Sequence, residues 1–177
     1  MRSSLAIAAL VVALPLAACS NTRTTTDAGT RAKGAASRAA SFDAATYTGV
    51  VAETPGTRSG AMGGTLTGDL APGDLQLDDG SYVDVYGIQL PAGATLTVDM
   101  NSTAFDPYLV VLTPDNQGYE NDDWNGDRTH SRIQITANQP GPYAILTTSY
   151  APGATGSYTV TVDAPGEVVV IPPEALK

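Results

Sequence analysis

Between Tyr82 and Val162 apolar side chains recur at every second position, and each such run is cut short by Gly, Pro, Asn or Asp. Tyr86, Ile88 and Leu90 fall on one face of an extended segment; Leu96, Val98 and Met100 fall on one face of the next, with Thr95, Thr97 and Asp99 opposite. A period of two is the period of a pleated strand and cannot be served by a helix. The pattern returns at Ile133 and Ile135, at Tyr143, Ile145 and Thr147, and at Tyr158, Val160 and Val162. Tyr108 to Leu112 is instead continuously apolar, as expected of a strand covered on both faces or placed at a sandwich corner. Thr65 to Gly68 and Asp74 to Leu77 add two short candidates. With 18 Gly and 12 Pro to supply turns, these segments predict an all-β fold, an antiparallel β-sandwich of seven or eight strands over residues 64–163. A closed barrel is the competing architecture. The long connection from Pro114 to Ser131 suits a sandwich crossover better than a tight meander.

The N-terminus has a different character. Arg2 precedes an uncharged apolar run, Leu5 to Ala18, that has the form of an export signal and is short for a membrane span. It ends in Leu16-Ala17-Ala18-Cys19, which resembles the lipobox of bacterial lipoproteins. That resemblance implies cleavage before Cys19, diacylglycerylation of its sulfur and usually acylation of its amine. Each buried methylene contributes about 0.8 kcal/mol, so two or three chains hold a protein to a membrane without a transmembrane helix. The expected address is the bacterial cell envelope. Ser20, where an Asp tends to favour retention at the inner membrane, leans towards the outer membrane, facing the periplasm or the cell surface.

Residues 19–63 read as the lipidated cysteine and a flexible, disordered linker. Phe42, Tyr47, Val50, Val51 and Met62 are the large apolar side chains of Ser20 to Gly63, too few for a core. Five Lys or Arg face three Asp or Glu there, whereas residues 64–163 set Arg128 and Arg132 against 13 acids. A coil of this length spans roughly 35 Å. The acidic balance of the folded part argues against nucleic acid as a partner. One cysteine and one histidine exclude an intramolecular disulfide and the common zinc sites.

An ordered series then carries a second resemblance: Asp84-x-Tyr86-x-Ile88-x-Leu90, Ala92-Gly93-Ala94-Thr95-Leu96-Thr97-Val98, Asp106-Pro107-Tyr108-Leu109, Asn121-Asp122-Asp123, Gly141-Pro142-Tyr143-Ala144-Ile145 and Gly156-Ser157-Tyr158-Thr159-Val160. It is similar to the bacterial pre-peptidase C-terminal domain. The family implies a jelly-roll-like sandwich, usually appended to secreted peptidases as an accessory or binding module. No peptidase accompanies it in this sequence.

Asn121-Asp122-Asp123-Trp124-Asn125-Gly126-Asp127 gathers three carboxylates and two amides. Asn121, Asp123 and Asn125 stand at the spacing of the first half of an EF-hand, but Arg132 occupies the place of its closing Glu. Calcium held by Asn121, Asp122, Asp123, Asn125 and Asp127 is one reading. A solvated set of turn formers is the other. Trp124 is either a platform for a partner or a cap on the sandwich. His130, Ser131 and Asp127 contain the letters of a triad without its framing, and no phosphate-binding glycine motif is present. In the tail, residues 164–177, Val168-Val169-Val170-Ile171 reads as an edge strand or as a segment for a partner. These features together predict a non-catalytic binding module with a protein or glycan partner, requiring no cofactor. An envelope scaffold that self-associates or braces its neighbours is the alternative, and a hydrolase using the acidic loops is ranked last.

Overall fold

The computed structural model describes residues 58–171. They form nine strands and no helix: β1 (Arg58–Leu70), β2 (Leu75–Gln76), β3 (Tyr82–Leu90), β4 (Thr95–Asn101), β5 (Pro107–Leu112), β6 (Gly118–Asn121), β7 (His130–Thr136), β8 (Gly141–Ser149) and β9 (Gly156–Ile171). Every pairing is antiparallel. The hydrogen-bonded order is β6-β5-β8-β3-β9-β4-β7, with β1 on β9 and β2 on β3.

Long strand β9 belongs to two layers. Its first half pairs with β4, Val98 opposite Val162, while its last residues pair with β3, Ile88 opposite Val168 and Val85 opposite Ile171. One continuous ladder thereby folds over on itself, with β6-β5-β8-β3 and the end of β9 forming one layer, and β7-β4, the start of β9 and β1 forming the other. Ala164-Pro165-Gly166 lies at the crossing. Gly166 is needed there because a Cβ would stand 2.6 Å from the backbone oxygen of Gln89.

The alternation read from the sequence faces inward. Leu96, Val98 and Met100 of β4 meet Ile88 of β3, Leu109 and Val111 of β5, Ile133 of β7, Tyr143 and Ile145 of β8, and Val160 of β9 in one buried cluster. Each such side chain contributes about 1.5–3 kcal/mol relative to exposure. The opposite positions of the second layer, Thr65, Thr67, Thr95, Thr136 and Thr159, are exposed.

A polar knot ties the layers through their core. The ring of Tyr158 lies over Gly68, where a Cβ would sit 2.4 Å from it. Its hydroxyl donates to Asp84 Oδ2 at 2.6 Å. Having spent its one proton there, it accepts from Tyr86 at 2.7 Å and from Thr147 Oγ1 at 2.9 Å.

The strands extend beyond residues 64–163 at both ends. β1 starts at Arg58, inside the stretch assigned to the linker, and β9 continues through Val168–Ile171, the stretch read as a tail. Those residues dock as a strand within the chain, pairing with β3, and Val169 also faces Arg58 of β1. The physical reason is the bend at Pro165-Gly166, which carries the apolar run from one layer into the other. Cys19, the segment read as an export signal and most of the segment read as a linker lie outside the described residues.

Candidate functional site

The acidic loop is built as a sequence of turns. Asn121 ends β6 nearly buried, and its Oδ1 accepts from the Arg132 amide at 2.9 Å while its carbonyl accepts from Ser131 Oγ at 2.6 Å. Its amide is thus committed to stapling β6 to β7. Asp122 Oδ1 accepts from the Asp123 amide, and Asp127 Oδ1 accepts from both the amide and the hydroxyl of Thr129, which holds its carboxyl below the usual range. Asn125 and Gly126 both have positive φ, 55° and 80°, and Trp124 bridges to Asp127. An Asn-Gly pair flanked by a bridge is the two-residue hairpin turn that suits the twist of paired strands. The EF-hand-like spacing is therefore occupied by a hairpin.

Of the five residues expected around calcium, Asn121 and Asp127 each hold a side-chain oxygen in hydrogen bonds, to the Arg132 amide and to Thr129. Among the described residues no three His, Cys, Asp or Glu side chains gather closely enough to hold a metal. What converges instead is Asp106 on Asp123. Each has a buried Oδ1 without a hydrogen-bond partner. Burial first, then the charge of Asp123, pushes the Asp106 carboxyl up to about 6, and Asp123 is raised by burial and by Asp122.

Trp124 is half-buried, its amide donating to the His130 carbonyl at 2.8 Å and its ring lying 5.5 Å from the Arg132 guanidinium. That stacking engages an aromatic face with a cation. Arg132 also reaches Asp99 at 3.3 Å, and His130 Nε2 stands 2.8 Å from the same Asp99 oxygen. Trp124, Arg132, Asp99 and His130 thus form one polar row at the β4–β7 edge. Ser131, between the two basic residues, points inward and is fully buried, so His130 and Ser131 do not form a nucleophile pair.

Beside this row the outer face of the second layer dips into a groove of about 480 Å³. Its lining includes Thr67 and Asp69 from β1, Asn101 at the end of β4 and Ser102 after it, Thr129, and Thr159 from β9. The volume lies within the usual range for ligand pockets, and the lining offers hydroxyls and an amide with a single carboxylate. Register explains the convergence, since Thr67 lies opposite Thr159, Thr159 opposite Asn101, and Asn101 opposite His130 across four strands. Sequence reasoning singled out neither the groove nor Asp99. Their signal was the run of polar residues at outward positions, which gains meaning only with the pairings.

The span from the start of β3 to the end of β8 has a family likeness. Residues 82–149 match the family model of the bacterial pre-peptidase C-terminal domain. This is a narrower span than residues 64–163, and it leaves β1, β2 and β9 outside. Among solved structures, the pre-peptidase C-terminal domain of a collagenase from Bacillus anthracis is similar at 19% identity, covering 56% of this chain and 88% of that one, with a TM-score of 0.44. Aeromonas hydrophila PliG, a periplasmic lysozyme inhibitor of g-type lysozyme, is similar at 19% identity over 63% of this chain and 88% of that one, with a TM-score of 0.41. No curated protein matches the chain.

Proposed function

We propose that this protein is a lipid-anchored, non-catalytic binding module of a bacterial cell envelope, and that it binds through the outer face of the β1-β9-β4-β7 layer. The anchor rests on Leu16-Ala17-Ala18-Cys19. The groove between Thr67, Asn101 and Thr159 carries the binding reading, because it is a concavity of ligand size on the outer face of this layer. Hydroxyls that both donate and accept, with no cation in the lining, match a neutral polyhydroxylated partner such as an envelope glycan. The inward aim of Ser131 and the separate engagement of His130 with Asp99 leave no assembled nucleophile and base there.

Glycans released from bacterial envelopes would be titrated against wild type, Asn101→Ala and Thr159→Val. Saturable binding weakened at least fivefold by either change supports the reading. Binding indifferent to both changes, or self-association in place of glycan binding, overturns it and favours a scaffold.

A further inference from the structure

The groove has hydroxyls along most of its lining and one charge, and that charge is unmatched. Asp69 stands two residues on from Thr67 in β1, on the same outward face, with Ser157 of β9 opposite. It is exposed, and among the described residues its carboxylate has neither a hydrogen bond nor an ion pair. The basic side chains are engaged elsewhere or distant. Arg132 and His130 both turn to Asp99, Arg128 acts on Asp106 and Asp123, and Arg58 opens β1 at its far end. Behind the groove, Tyr158 donates to Asp84, whose carboxyl is raised by burial first and then by the charges of Asp74 and Asp69. Three carboxylates thus bear on one end of the groove. Among the described residues none of the three is paired with a cation.

A hydroxyl lining serves glycans generally, because each hydroxyl both donates and accepts. A carboxylate only accepts, and its charge favours a cationic donor over a neutral one. An amino sugar without its acetyl group supplies such a donor, since the ring keeps its hydroxyls and carries a primary ammonium. The N-acetylated sugar has a neutral amide in the same place. We infer that Asp69 makes the groove selective, among hydroxyl-rich glycans, for those bearing a free protonated amine. This selectivity rests on the glycan-binding reading of the groove and adds to it a preference for a charge opposite to that of Asp69.

The full chain would be titrated with the tetramer of glucosamine and the tetramer of N-acetylglucosamine at about pH 6, where sugar amines are protonated. An exposed ion pair changes a dissociation constant by up to about fivefold. Wild type should bind the glucosamine tetramer about three- to fivefold more tightly at about 20 mM salt, and the preference should fade towards parity at about 0.5 M. Asp69→Asn keeps the shape and loses the charge, so it should bind the two tetramers within about twofold of each other. Asp163→Asn removes the same charge from an exposed position of the same face, outside the groove, and should keep the preference. Parity in wild type, a preference that survives Asp69→Asn, or one lost equally in Asp163→Asn overturns the role of Asp69 while the glycan reading stands. Binding of neither tetramer overturns both.

Discussion

Replacing Tyr158 by Phe removes one oxygen from the knot that joins the layers. Three partners lose it together: Asp84, which accepts its proton, and Tyr86 and Thr147, which donate to it. A hydrogen bond to a charged group contributes about 1.5–3 kcal/mol, and a buried hydroxyl left without a partner costs about 1–3 kcal/mol. Thr147 can turn to the Asp84 carbonyl, 3.4 Å away, but Tyr86 is buried. The expected loss is therefore about 2–4 kcal/mol at neutral pH, or about 10 °C in Tm. Burial already raises the Asp84 carboxyl, and the bond from Tyr158 opposes that rise. Without the bond its folded-state pKa climbs further above the unfolded value. A raised folded pKa favours folding increasingly as pH falls towards the ordinary value of 3.8, so the variant's deficit shrinks on acidification. Urea unfolding of both proteins at pH 7.5 and pH 5 measures this. A loss below about 0.5 kcal/mol, or a deficit that does not narrow at pH 5, refutes the account of the knot.

Asp106→Asn should stabilise the fold at pH 7 by about 1 kcal/mol, a figure reduced for the solvent that reaches the loop, because it removes a carboxylate that burial disfavours. With the wild-type carboxyl raised to about 6, wild-type stability rises as pH falls from about 6 towards 4, and the variant should lose that rise; a variant less stable at pH 7 contradicts the assignment. Gly166→Ala forces a methyl against the Gln89 carbonyl and should cost about 1–3 kcal/mol in urea unfolding, whereas unchanged stability would mean the crossing moves freely. Millimolar calcium should leave Tm within about 1 °C, since Asn121 and Asp127 each spend a side-chain oxygen on hydrogen bonds within the chain and no three acidic side chains among the described residues gather around one point. Occupancy at 100 times a dissociation constant would instead add about 2.7 kcal/mol.

The class of fold was legible because alternation is a local property, visible in Leu96-x-Val98-x-Met100 and Tyr158-x-Val160-x-Val162. The continuous run Tyr108–Leu112 correctly signalled a strand covered on both faces, each of its residues being buried. The acidic loop was located with two readings open: Asn125-Gly126 is a turn signal as much as half of a calcium loop, and sequence spacing does not reveal that Asn121 is bound to β7. Trp124 gave no decision, because its neighbour Arg132 lies eight residues away on another strand.

Sequence alone determined that alternate side chains must be buried between β-layers, since hydrophobic period depends on each residue's own neighbours. It also supplied the export-signal reading of Leu5 to Ala18 and the lipobox-like Cys19, which lie outside the described residues. Only the tertiary structure decided that β9 serves both layers, that Asp99 meets His130 and Arg132, and that Thr67, Asn101 and Thr159 share a groove. These facts depend on register between strands up to about a hundred residues apart, and register is set by the packing of the whole core.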